Sequence, residues 1–302
     1  MKVVIIGGVA GGATAAARIR RLDEKAEIVV FERSGFISYA NCGLPYYIGG
    51  TIEDEGDLTL QTPESFYKRF RVKMNVRHEV TALHPERKMV TVKNIENGTV
   101  FTETYDKLIL SPGAKPIKPN FEGIDSDKIF TLRTVEDTLK IKKFINEKYP
   151  KSAVVVGGGF IGIEVAENLR ELGIDVTLVE AADQLMAPFD SDMASFIHAE
   201  LRKNGVNLML GRFVEGFADT DDGICVKLKN SPTLHANMVV MAIGVAPETT
   251  LAKDAGLELG IKGSIVVNDR METSVTDIYA VGDAVQIRNF VTDTDALISL
   301  AG

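Results

Sequence analysis

Cysteine is scarce in this 302-residue chain: there are two, Cys42 and Cys225, far apart in the sequence. Two cysteines cannot build a disulfide framework, and together with four scattered histidines they supply no metal-ligand cluster. Positive charge is in deficit as well. Lys and Arg number 34 against 42 Asp and Glu, a formal net charge of −8, which disfavours a nucleic-acid partner because the phosphate backbone wants a basic face. No apolar run reaches the roughly 18 residues of a membrane span, so no membrane partner is expected. The sequence opens directly on strand-like Lys2–Ile6 with no signal peptide ahead of it. A cytoplasmic, reducing location is therefore the expectation. What remains is an ordinary globular composition, 45% hydrophobic and 25% charged, over a length that suits two domains of about 100–200 residues each.

Within that length the sequence repeats itself. Strand, glycine turn, helix, strand and acid occur at 2–32 and again at 153–180. The first copy runs Val3-Val4-Ile5-Ile6, then Gly7 to Gly12, then a helix expected over 13–22, then Ile28-Val29-Val30-Phe31-Glu32. The second runs Val154-Val155-Val156, then Gly157 to Gly162, then a helix expected over 163–172, then Val176-Thr177-Leu178-Val179-Glu180. Continuous apolar strands of this kind are buried on both faces, as in a parallel sheet. Short alternating segments follow each copy at 79–83, 89–94 and 100–105, and at 213–217, 224–229 and 234–237, and read as antiparallel strands. Asn97-Gly98 marks a hairpin. Each half closes on a buried strand and a glycine turn, at 107–114 and 238–244. A later strand ending at Gly282-Asp283 suggests a return to the first module.

The second glycine turn, Gly157-Gly158-Gly159-Phe160-Ile161-Gly162, fits G-x-G-x-x-G in full. It follows a strand, opens a helix, and has an acid, Glu180, about 20 residues on, as a dinucleotide site requires. Its glycines permit a tight turn, close approach to a pyrophosphate, and helix–strand packing. Glu180 should accept a ribose 2′-OH and repel a 2′-phosphate; Ala181 and Ala182 bring no cation there. NADH is expected in preference to NADPH. The first turn, Gly7-Gly8-Val9-Ala10-Gly11-Gly12, departs from the pattern at Val9, while Gly7, Gly12 and Glu32 stand at the right spacing. Cys42 lies ten residues beyond Glu32, in Ser38-Tyr39-Ala40-Asn41-Cys42-Gly43-Leu44-Pro45-Tyr46-Tyr47. A lone thiol after a dinucleotide module points to one-thiol redox chemistry. Cys225, in Ile224-Cys225-Val226-Lys227, reads as a small buried apolar residue, the usual fate of a free cysteine. His78, His84, His198 and His235 fall in no motif.

Two such modules with a late Gly-Asp strand resemble the flavin-dependent pyridine nucleotide–disulfide oxidoreductases. The resemblance implies an α/β fold of two Rossmann-like FAD/NAD(P)-binding domains, of three-layer ββα type with antiparallel insertions. It implies residues 1–114 as the first part of the FAD domain, 115–245 as the NAD(P)H domain, and 246–302 as the second part of the FAD domain. FAD would be held by Gly7, Gly12, Glu32, Ser111, Gly113 and Asp283, and NADH by Gly157, Gly159, Ile161, Gly162, Glu180 and Gly244. Classical members carry two cysteines four residues apart. The lone Cys42 looks like the single-cysteine branch, similar to coenzyme A-disulfide reductases and NADH-dependent persulfide reductases, with Cys42 as the catalytic thiol. Thr14, Arg18, Arg21, Ser38 and Asn41 match positions that line the coenzyme A site there; the bland alternative for the arginines is a solvated helix face. Expected partners are coenzyme A or another low-molecular-weight disulfide or persulfide.

Water-forming NADH oxidases and peroxidases share the lone cysteine but usually carry a histidine in the first glycine loop, where this chain has Ala10. A nucleotide-binding fragment without turnover is a further alternative. The apolar segment at 296–301 has no terminating signal. The chain therefore reads as cut short before an interface domain that in relatives builds a homodimer.

Overall fold

The computed structural model describes residues 1–298, so the segment at 296–301 lies only partly within the described residues. Two compact units are present: one of 1–39, 59–115 and 246 onward, the other of 40–58 and 116–245. Residues 40–58, which the sequence pattern groups with the first domain, thus pack with the second unit.

Each unit is built on a five-stranded sheet. In the first, the order is Lys73–Asn75, Glu27–Phe31, Lys2–Ile6, Lys107–Leu110, Ile278–Ala280, all parallel. In the second it is Asn207–Met209, Asp175–Val179, Ser152–Val156, Met238–Met241, Ile129–Thr131, again all parallel. The two orders correspond strand for strand. They differ in the last strand, which the first unit takes from late in the chain and the second from the segment that enters it.

The apolar runs divide their side chains between two layers. In the first unit Val4, Ile6, Val29, Phe31, Leu108 and Leu110 face a core shared with Val80, Leu83, Val90 and Val92 of a three-stranded antiparallel sheet. Val3, Ile5, Ile28 and Val30 face the opposite way, onto Ala13 and Ala16 of the helix Ala10–Leu22 and onto Phe66 of the helix Pro63–Phe70. The second unit repeats this: Val154, Val156, Val179, Val239 and Met241 pack on Phe217, Ile224, Val226 and Leu228 of its own antiparallel sheet. Hence the uninterrupted Val/Ile/Leu pattern, since neither face of either parallel sheet meets water. Asn97-Gly98 forms the expected hairpin, with Gly98 at φ +75° and its N–H on Asn94 O at 2.9 Å. Among the described residues, no helix is long and apolar enough to cross a membrane.

Candidate active site

Both glycine turns are built alike. Gly7 leaves its strand at φ +98° and Gly157 at φ +110°, a region that L side chains rarely adopt. A Cβ on Gly7 would sit 2.0 Å from Ser111 O, and one on Gly157 2.3 Å from Ala242 O. Each turn then enters its helix earlier than the sequence suggests. The helices begin at Ala10 and Phe160, so Gly12 and Gly162 lie in the first helical turn. There a Cβ would come within 1.8 Å of Gly7 O and 2.0 Å of Gly157 O, so helix and turn touch backbone to backbone. Glycine's low helix propensity is outweighed by that packing.

The acids close the turns. Glu32 is buried, at 8% exposure, and accepts Gly8 N–H at 2.8 Å on Oε2 and Ser34 N–H at 2.8 Å on Oε1. Half-buried Glu180 accepts Gly158 N–H at 2.6 Å and Ala182 N–H at 2.7 Å in the same manner. Neither helix has an acidic residue in its first turn or a side-chain cap at its start. By contrast, Pro63–Phe70 and Val135–Lys148 carry complete capping boxes, Thr62/Ser65 and Thr134/Asp137. The two dinucleotide-type helices therefore leave their first N–H groups and the positive end of the helix dipole for an anion.

Around the first turn, the structure brings Gly7, Gly11, Gly12, Ser111 and Gly282 together. A Cβ on Gly11 would lie 2.5 Å from Ser111 Oγ, and one on Gly282 3.6 Å from it. Asp283 follows Gly282 and is half-exposed. Gly113 and Gly244 leave the return strands at φ +70° and +115°. Ser38, at φ +48°, folds back over the first turn and donates its N–H to Gly8 O at 3.0 Å. Thr14, Arg18 and Arg21 are exposed on one face of the first helix, with Arg21 5.9 Å from the centroid of the Phe70 ring. Arg20, between them, is committed to four carbonyl oxygens, those of Phe70, Asp23, Glu24 and Arg71.

Asn41 and Cys42 belong to the second unit, and both are exposed. They stand in a single 3₁₀ turn, Asn41–Gly43, that leads into the six-residue helix Leu44–Gly49. That turn is fixed from both sides. Ala40 N–H bonds Leu58 O at 3.0 Å, closing the 40–58 loop, while Leu44, Pro45 and Ile48 are buried. The helix ends on Gly50 at φ +91°, and Lys142 Nζ donates to Ile48 O at 2.8 Å. Its last residue, Gly49, approaches Asn168 so closely that a Cβ would meet Oδ1 at 2.1 Å. Cys42 is thus an accessible thiol on a rigid support.

The sequence missed several residues around this support. Tyr46 is held above the usual phenol value, by burial first and then by Glu167, Glu164, Cys42 and Glu171. Glu164 is pushed above the usual carboxylate value by burial and then by Glu167. Asn168 is fully buried; its amide donates to Glu164 O at 2.8 Å and its Oδ1 has no hydrogen-bond partner among the described residues. A polar residue amid the buried Val165, Ala166 and Leu169 was the available signal. Beside Glu180, the strand order brings Arg212, whose N–H donates to Glu180 O at 3.0 Å and whose guanidinium donates to Gly211 O at 3.3 Å.

Cys225 corrects its sequence reading. Ile224, Val226 and Leu228 take the core side of their strand, and Cys225 stands half-exposed on the other. Strand alternation overrides the residue's usual preference for burial. Among the described residues, both cysteines are free and no group of three or more metal-ligating side chains occurs.

A family model described as pyridine nucleotide-disulphide oxidoreductase matches residues 1–296. The chain is 40% identical over 300 residues to a coenzyme A disulfide reductase of Staphylococcus aureus (strain JH9), spanning 99% of this chain and 67% of that one. The solved structure of reduced CoADR-RHD of Bacillus anthracis superposes with a TM-score of 0.96 at 49% identity, over 99% of this chain and 54% of that one. A NAD-dependent persulfide reductase of A. fulgidus superposes with a TM-score of 0.94 at 36% identity, over 99% of this chain and 56% of that one. The chain therefore spans little more than half the length of these two solved relatives.

Proposed function

The chain belongs to the pyridine nucleotide-disulphide oxidoreductase family, and from that premise we propose that it is the nucleotide-binding part of an enzyme that uses NADH to reduce coenzyme A disulfide or a coenzyme A persulfide at Cys42. The observation that carries this reading is the pairing of two uncapped glycine-turn helices with a single exposed, free thiol at Cys42.

The donor sets fit two dinucleotides. Gly7, Gly12, Glu32, Ser111, Gly113 and Asp283 would hold FAD, the cofactor of the family. Gly157, Gly159, Ile161, Gly162, Glu180 and Gly244 would hold NADH. FAD would supply two-electron transfer between the nicotinamide and sulfur. The chain's own work is to bind, orient and react. The first N–H groups of each helix would face a diphosphate, and the carboxylates of Glu32 and Glu180, oriented by backbone N–H groups, would offer their remaining lone pairs to ribose hydroxyls. Glu180 repels a 2′-phosphate and so favours NADH. Cys42 as thiolate attacks a disulfide sulfur and releases one thiol; the resulting mixed disulfide is reduced to return the thiolate and release the second. Thr14, Arg18, Arg21, Ser38 and Asn41 would hold coenzyme A, the arginines through its phosphates. Homodimerisation is part of the same proposal.

Anaerobic NADH oxidation across coenzyme A disulfide, coenzyme A persulfide, polysulfide and other small disulfides, with thiol and sulfide quantified, tests the proposal. Thiol formed in step with NADH consumed supports it. Stoichiometric oxygen uptake in air without a thiol product would replace it with an oxidase.

A further inference from the structure

We propose that Cys225 and His235 form a second sulfur site, on the outer face of the second unit's antiparallel sheet, that takes a low-molecular-weight disulfide of the coenzyme A class as a mixed disulfide. The choice of disulfide rests on the functional reading above; the reactivity of the pair rests on its own geometry. Cys225 lies in the middle strand of the three-stranded sheet Val214–Asp219, Ile224–Leu228, Leu234–Ala236. His235 is its direct cross-strand partner on one side, and Ala218 on the other. Residues directly opposite share a face, so Ala218, Cys225 and His235 form one row across the sheet. Cys225 Sγ is 3.3 Å from His235 Nδ1, and His235 is exposed.

The row has the parts that a nucleophilic thiol needs. The sulfur is reachable from solvent, and an imidazole nitrogen stands where the thiol proton must go. On the opposite flank the facing residue is half-exposed Ala218, which presents only a methyl group. Lys227, two residues on along the same face, is engaged with Glu122 at 2.9 Å. A cysteine placed for packing would occupy the core side with Ile224, Val226 and Leu228, which is already filled.

The step is a plain exchange. His235 Nδ1 takes the proton as Cys225 Sγ attacks one sulfur of the disulfide. The new Cys225–sulfur bond forms, the old S–S bond breaks, and the departing thiolate takes a proton from the imidazolium. The sulfur of Cys225 is oxidised and the departing thiol reduced, so no outside oxidant or reductant enters.

The test uses the Cys42→Ser protein, in which Cys225 is the remaining cysteine, treated at pH 7 with coenzyme A disulfide and separately with a bis(nitrobenzoate) disulfide. The expected result is a single coenzyme A adduct on the Cys225 peptide, released by reductant. Adding His235→Ala should slow labelling by both reagents about tenfold or more, the loss expected on removing a general base. That deficit should shrink as pH is raised, because hydroxide then takes the thiol proton in place of the imidazole. His235→Asn, which keeps an exposed polar side chain, should be equally slow. Labelling of His235→Ala at the parent rate at pH 7 overturns the proposed pair. Reaction with the aromatic disulfide alone overturns the coenzyme A assignment. Because Cys42 is absent throughout, neither outcome depends on whether Cys42 turns over disulfides.

Discussion

At the start of the helix Phe160–Glu171, a Cβ on Gly159 would meet nothing within 4 Å, while at the start of Ala10–Leu22 the same position carries the side chain of Val9. Below that position the two turns are alike, with a glycine at positive φ, a second pressed on its carbonyl oxygen, and a carboxylate on a backbone N–H. The difference separates two requirements that the G-x-G-x-x-G pattern mixes. The outer glycines serve the protein's own packing. The middle glycine leaves open space at the helix N-terminus, the space that the proposed NADH site would use. In the first turn a glycine is found instead at Gly11, where it is demanded by Ser111 Oγ and Val281.

Substitution can break this parallel, and the largest effects belong to the shared positions. Gly12→Ala and Gly162→Ala each force a methyl into a backbone oxygen. Each should cost about 1–3 kcal/mol, an overpacking penalty, read as a lower thermal midpoint by circular dichroism. A large disparity between the two would mean that the turns are not equivalent. Gly159→Val, which copies the first turn into the second, should leave the midpoint unchanged, since its φ of −82° is ordinary and the space is open. NADH affinity should fall about 10–100-fold, or roughly 1.4–2.8 kcal/mol, by isothermal titration, with FAD content unaltered. The carboxylates should differ through burial. Glu32→Ala leaves Gly8 and Ser34 N–H groups without their acceptor in a buried setting, for a loss of about 1–3 kcal/mol. Glu180→Ala, at a half-buried site, should lose less stability and show mainly as weaker NADH binding.

The smallest effect is a pH dependence. Burial raises Glu164 above its ordinary 4.5, so the folded state holds this proton more tightly than the unfolded one. Its contribution to stability is therefore present below that ordinary value and is lost as pH rises through the raised one. Glu164→Gln should raise the thermal midpoint at pH 7, and the gain should fade below about pH 4.5. A gain that persisted unchanged into acid would assign the effect to packing instead.

Much of this was legible because parallel strands buried on both faces leave an unbroken apolar signature, and the repeat doubled it. The three-residue strands Lys73–Asn75, Ile129–Thr131 and Asn207–Met209 were not legible. Segments so short have no period, and only their neighbours in the sheet define them. Nor could the packing of 40–58 with the second unit be read, since Leu44–Gly49 is held by Lys142 and Asn168, far along the chain. Cys225 is a different case. Its alternation with Lys227 was visible in the sequence, and the usual burial of cysteine pointed the other way.

The central claim is that Cys42 is the thiol through which NADH reduces a coenzyme A disulfide. The most direct measurement is thiol release from coenzyme A disulfide per NADH consumed, under anaerobic conditions, by parent protein and Cys42→Ser. The account predicts two thiols per NADH in the parent and a loss of about 10³-fold or more in Cys42→Ser, as for removal of a nucleophile that works as a unit with its partners, with the yellow FAD colour retained. Thiol release at the parent rate from Cys42→Ser would contradict it.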